Sequence, residues 1–115
     1  MKRIPTDPKI KLFVVIFAAL GVGNAGAADL AAGQAKAKEV CAACHGLDGN
    51  SQVADYPKLG GQYADYLAKA LRDYKSGLRK NPIMAGMVGA ISTRDIENVA
   101  AYYASQPPAV HTPNY

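Results

Sequence analysis

Apolar positions recur at helical spacing in three stretches of this chain, and no run alternates apolar with polar as a half-buried strand would. The first stretch predicts a helix over about 29–43, with Leu30, Gly33, Ala37, Val40, Cys41 and Cys44 recurring on its inner side. Asp29 is placed to cap its start. Gly33 on that inner face costs about 1 kcal/mol relative to alanine, so it is either simply tolerated or marks the close approach of another helix. The second stretch predicts a helix over about 62–76. Tyr63, Tyr66, Leu67, Ala70, Leu71 and Tyr74 form a wide apolar stripe, in which the tyrosines read as packing residues rather than chemistry. Asp65, Lys69 and Asp73 stand four apart on the other side, and Gly77 supplies a stop. The third starts at Ser92 and Asp95, which have capping-box spacing, with Ile91 and Ile96 as the flanking staple. Ile96, Val99, Ala100 and Tyr103 form its inner face, and Pro107-Pro108 ends it. Residues 81–89 read as a loop, adaptable at Gly86 and Gly89 and stiffened at its entry by Pro82. The pattern predicts an all-α domain.

The ends of the chain carry different signals. Lys2, Arg3, Lys9 and Lys11 accompany an apolar run over 12–22, and Ala25-Gly26-Ala27 follows as a small-residue cleavage pattern. That order predicts an export signal over 1–27. The run is shorter than the roughly 20 apolar residues of a membrane span, and an uncleaved anchor is the alternative. The folded domain is then expected over 28–106, with 107–115 as a flexible tail.

This division changes the meaning of the charge. The full chain of 115 residues has a net charge of +4 and a pI near 9.1. Residues 1–27 hold four of the thirteen Lys and Arg and one of the nine Asp and Glu, so the remainder carries only +1. The basicity belongs to the export segment and gives no ground for nucleic-acid binding. A remainder of roughly 88 residues is one small domain, of a size that often needs a staple.

Cys41-Ala42-Ala43-Cys44-His45 carries the chemistry. Two thiols three residues apart on a helical turn share one face, and the imidazole follows at once. This spacing suits covalent attachment of a haem through both thiols, with His45 as one axial ligand of iron. A structural zinc site would need four ligands, and the chain has two Cys and two His, with His111 in the tail. A thioredoxin-like redox pair would sit beside a βαβ pattern, and a plain disulfide would not need the histidine. A covalent haem c would itself be the staple, so the apoprotein is expected to fold poorly. A thioether on the other face of iron would raise the reduction potential relative to a second histidine and block exogenous ligands. Met84 and Met87 are both candidates, with core filling as the other role of a methionine here.

With these motifs in view, the chain resembles the class I cytochromes c, and within them one domain of the bacterial di-haem cytochrome c-four group. The likeness covers about 29–106. It rests on Cys41-Ala42-Ala43-Cys44-His45-Gly46, Asp48-Gly49-Asn50, Pro57-Lys58-Leu59-Gly60-Gly61-Gln62 and Ala100-Ala101-Tyr102-Tyr103-Ala104-Ser105-Gln106. The resemblance implies a small fold of three main helices wrapped around one covalent haem. It implies thioether bonds at Cys41 and Cys44, His45 as proximal ligand, a Pro57 carbonyl fixing the His45 tautomer, and Leu59 against the haem. In the family the distal methionine stands eight residues before the Ser capping the last helix, which favours Met84 over Met87. The first and last helices are expected to cross, with Gly33 facing Tyr102 or Tyr103. The di-haem relatives carry two such domains, and this sequence carries one haem motif.

The implied function is that of a periplasmic electron carrier rather than an enzyme. Its partners would be redox proteins of a respiratory or dehydrogenase pathway, met in weak and transient docking, with no nucleic acid and no small-molecule substrate. Membrane contact would come only through partner complexes or an uncleaved signal. Lys75, Arg79 and Lys80 form either a docking rim for acidic partners or a solvated charge cluster. The alternative is a haem subunit held permanently in a larger oxidoreductase, with the Pro-rich tail as an interaction segment. Catalysis or gas sensing at an open iron would require that neither methionine ligate.

Overall fold

Asp29 caps the first helix as the sequence predicts, its carboxylate accepting from the Ala32 amide at 3.0 Å. In the computed structural model, which describes residues 26–108, α1 spans Leu30–Lys36. The predicted helix does not continue regularly. Ala37–Cys41 is a π-helical turn, in which the Ala42 amide donates to the Ala37 carbonyl five residues back, and α2 (Ala42–His45) resumes α geometry. One inserted residue rotates α2 by about 100° relative to a regular helix. Gly33 and Ala37 are buried, while Cys41, Cys44 and His45 border a cavity. Leu30, expected on the inner side, is half exposed at 50%. Such π turns are frequent at functional sites.

The second helix, α3 (Ala64–Ser76), ends at Gly77 in the left-handed conformation, and Lys69 pairs with Asp73 as expected. Its stripe meets both the core and the cavity. Leu67 is buried in the core and also borders the cavity, Leu71 and Tyr74 touch both, and Tyr66 and Ala70 border the cavity. Tyr63, placed on the stripe by its spacing, is 79% exposed, because the helix starts only after it.

The segment read as a loop is a helix. In α4 (Pro82–Gly89) the Asn81 side chain accepts from the Ile83 and Met84 amides, each at 3.0 Å, and Pro82 occupies the first position. Asn followed by Pro is itself a start signal, which the two glycines masked.

The last helix, α5 (Thr93–Ala104), opens with the predicted reciprocal capping box. The Asp95 amide donates to the Ser92 hydroxyl and the Ser92 amide to the Asp95 carboxylate, each at 3.0 Å. Ile91 and Ile96 are both buried.

The core lies where α1 and α3 pack on α5. The α1–α5 crossing is as tight as backbones allow: a Cβ on Gly33 would stand 2.1 Å from the Asn98 carbonyl oxygen and 2.9 Å from the Tyr102 Cβ. Tyr102, not Tyr103, is thus the aromatic at this glycine. Asn98 is buried, and its side chain accepts from the Asp29 amide at 2.9 Å. Arg94 donates to the carbonyls of Gly26 and Ala27 at 2.8 and 3.0 Å. The rest of the predicted export segment, residues 1–25, lies outside the described residues, as do 109–115 of the predicted tail, His111 among them. Pro107, the first residue of that tail, accepts from the Asn50 side chain at 3.0 Å. Among the described residues no helix is long and apolar enough to cross a membrane.

Candidate functional site

The helical rod α1–α2 ends at Gly46, and the chain then loops through residues 46–62 before α3 begins. Two tyrosines of α5 hold the start of this loop. Tyr102 donates to the Leu47 carbonyl at 2.8 Å and Tyr103 to the Gly46 carbonyl at 3.1 Å. Burial pushes the Tyr103 hydroxyl well above its usual pKa, so it stays a neutral donor. Farther along, the Gly49 carbonyl accepts from the Leu59 and Gly60 amides at 2.7 and 3.1 Å. Gly49 has a φ of +73°, and a Cβ there would meet the Gly60 amide nitrogen at 2.5 Å, so both conformation and space require glycine.

This bracing places Pro57 beside His45. His45 is only 7% exposed, and its Nδ1 lies 2.9 Å from the Pro57 carbonyl oxygen. A carbonyl can only accept, so Nδ1 carries the proton and Nε2 keeps its lone pair. Nε2, not Nδ1, is then the nitrogen available to accept a bond in the neutral ring. The Tyr56 ring stands edge-on to the imidazole at 6.3 Å.

His45 borders a cavity of about 370 Å³ that brings together every candidate site residue: Cys41, Cys44, His45, Pro57, Leu59 and Met84 all line it. Met87 lines it too, but the two methionines differ. Met84 is partly buried against the core, while Met87 is 46% exposed. The wall also takes in Tyr66, Ala70, Leu71 and Tyr74 from α3 and Val88, Ile91 and Val99 from the last two helices and the turn between them. The sequence pattern read the α3 stripe, Ile91 and Val99 as internal packing and did not single out Val88. Two cations, Lys58 and Arg79, reach the same wall.

The donor set can be tested against the possible occupants. Cys41 and Cys44 are unpaired, and burial pushes the Cys41 thiol up to about 11, so it is neutral at pH 7. Among the described residues no group of three or more His, Cys, Asp or Glu could hold a metal ion, so a structural zinc would lack its four ligands. An apolar cavity bordered by two thiols, one imidazole nitrogen and one half-buried thioether fits a large flat apolar group with a metal at its centre. A haem joined to Cys41 and Cys44 has that character.

Lys75, Arg79 and Lys80, which the sequence offered as a docking rim or a solvated cluster, are all exposed, and two of them also have partners within the chain. Lys75 directs its ammonium to the carbonyls of Val88, Gly89 and Ile91 at the end of α4. Arg79 lies over the Tyr74 ring, 4.9 Å from its centroid.

Comparison with known proteins agrees with this geometry. The family model for cytochrome c matches residues 30–106. Cytochrome c4 of Pseudomonas aeruginosa is 50% identical over 98 residues, which is 84% of this chain and 48% of that protein. Cytochrome c-554(548) of Halomonas halodenitrificans is 43% identical over 83 residues, covering 70% of this chain and 99% of that one. The crystal structure of reduced recombinant cytochrome c4 from Pseudomonas stutzeri superposes with a TM-score of 0.68 at 45% identity, over 73% of this chain and 48% of the other. The chain spans about half the length of the cytochrome c4 relatives it matches.

Proposed function

This chain belongs to the cytochrome c family, and we propose that it is a one-electron carrier working through a single covalent haem c. Cys41 and Cys44 form the thioether links, His45 is the proximal ligand through Nε2, and Met84 is the distal ligand. Pro57 orients His45, and Leu59 packs on the haem. The haem supplies the reversible one-electron change of iron, and the protein's part is to hold it rigid, dry and six-coordinate.

The observation that carries this reading is the bond from His45 Nδ1 to the Pro57 carbonyl at 2.9 Å, which supports Nε2 as the ligating atom. Met84 is preferred to Met87 because it is the one seated against the core and lies in the first turn of a capped helix. Two strong-field ligands leave iron no position for a substrate, in keeping with a carrier rather than an enzyme.

The export signal in the sequence supports a periplasmic location, and residues 1–27 and 107–115 stand as leader and tail around the carrier domain. Its partners are redox proteins of a respiratory or dehydrogenase pathway, engaged briefly over a small area. Purification in a stable stoichiometric complex would support permanent membership of an oxidoreductase instead.

A reduced-minus-oxidised spectrum with a titrated potential tests the core of the proposal, together with extraction of the pigment into acidified organic solvent. A c-type spectrum with non-extractable pigment is expected; extraction of the pigment would defeat the proposal. Met84→Ala should abolish the sulfur-to-iron charge-transfer band of the oxidised protein, and Met87→Ala should leave it. The reverse result would move the ligand to Met87.

A further inference from the structure

The helix that carries Met84 is poorly equipped to hold itself. It has eight residues, shorter than a helix that is stable alone, and it contains Gly86 and Gly89, each costing about 1 kcal/mol relative to alanine. Neither glycine is required by packing, since a Cβ at either would have nothing within 4 Å. The last turn has no basic residue of its own to answer the carbonyls there. Met84 sits on this helix between its cap at Asn81 and its unsupported end.

Lys75 supplies what α4 lacks. It sits in the last turn of α3, and its Nζ lies 3.3 Å from the Val88 carbonyl, 3.0 Å from that of Gly89 and 2.5 Å from that of Ile91. An ammonium has three donors and no acceptor, and here three carbonyls converge on it. Its charge also faces the negative end of the α4 dipole. Val88 and Ile91 are buried and line the same cavity as Met84, so the tether acts on the wall that the distal ligand shares.

We propose that Lys75 is a positioning residue for the distal ligand: by fastening the end of α4 it keeps the Met84 sulfur on iron and closes the distal side to small exogenous ligands. This rests on Met84 being the ligand. The role is distinct from both sequence readings of Lys75, a docking rim or a solvated charge cluster. A docking lysine is turned toward a partner, whereas this one is engaged by the carbonyls of its own chain.

The test uses the ferric holoprotein with cyanide as the probe. Replacing Lys75 by glutamine should raise the rate of cyanide binding about tenfold, the scale of losing a charge-assisted hydrogen-bond set, and weaken the charge-transfer band. Lys75→Arg, which keeps the charge and several donors, should recover most of the difference. Arg72→Gln, which breaks the surface pair with Glu97, should leave the cyanide rate unchanged although it removes a comparable charge. A wild-type rate in Lys75→Gln, or an equal acceleration in Arg72→Gln, would overturn the proposal. Should Lys75→Gln not accumulate as holoprotein, Gly86→Ala asks the same question from the stabilising side. It strengthens α4 at an open position and should slow cyanide entry; an unchanged rate there counts against the tether. Met84→Ala separates the two levels. If that variant keeps the band, the ligand assignment has failed and the tether with it; if it loses the band while Lys75→Gln behaves as wild type, only the tether has.

Discussion

Gly33 and Asn98 meet backbone to backbone: a side-chain carbon on the glycine would lie 2.1 Å from the Asn98 carbonyl oxygen. Neither main chain can yield, because α1 and α5 are both anchored at their starts by side-chain caps. Gly33→Ala should therefore cost about 2–3 kcal/mol, typical of overpacking, and lower the Tm of the holoprotein by at least about 10 °C for a domain of this size. Thermal unfolding followed by circular dichroism measures this. An unchanged Tm would mean that the two helices do not cross here.

The Pro57 carbonyl should be visible in the reduction potential. A hydrogen bond from Nδ1–H makes the imidazole a more electron-rich ligand and favours ferric iron. Pro57→Ala keeps the carbonyl but frees the backbone that aims it, so the potential should rise by about 20–60 mV, where 59 mV is tenfold for one electron. A titration showing no shift, or a fall, would separate Pro57 from ligand tuning.

Asp95 gives a pH dependence with a defined sign. The Ser92 amide first, then its hydroxyl, hold the Asp95 carboxyl below the usual carboxylate range. A folded value below the unfolded one, about 3.9, stabilises the protein above that pH, and the effect is lost as pH falls through the lowered value. Asp95→Asn should thus be less stable than wild type at pH 7, with the difference shrinking below about pH 4. Denaturant midpoints across that range would show it, and a gap that persists at low pH would contradict it.

Electron transfer to a small anionic acceptor should respond only weakly to salt. Lys75, Arg79 and Lys80 keep their charge, but the sequence beyond residue 27 carries a net charge of only +1, so the long-range field that salt would screen is weak. The rate should change by less than about threefold between low salt and about 0.2 M ionic strength. A steep decline would restore the rim.

Much of the fold was legible in the sequence because it was written in local signals. The capping box at Ser92 and Asp95, the stop at Gly77 and the Asp29 cap each act within four residues, and each appears in the structure. The haem motif was legible for the same reason, since Cys41, Cys44 and His45 share one helical turn. What could not be read depended on what each helix packs against. The stripe on α3 looked like core, yet Tyr66 and Tyr74 border the cavity, because periodicity reports an apolar face without saying whether protein or cofactor covers it. The π turn at 37–41 leaves no mark in an apolar pattern built on 3.6 residues. Residues 81–89 looked like a loop because glycine frequency outweighed the Asn81-Pro82 start. The contacts of exposed Lys75 could not be read, since its three acceptors lie 13 to 16 residues away.

The bond from the Asp29 amide to the Asn98 side chain spans 69 residues, and it carries a consequence for timing. A chain emerging from its amino end presents Cys41 and Cys44 long before α5 exists to close over α1. Once the last helix docks, both thiols remain half-buried on the wall of the cavity. Closure of the first helix therefore waits on the last, and the two ends of the domain become ordered together.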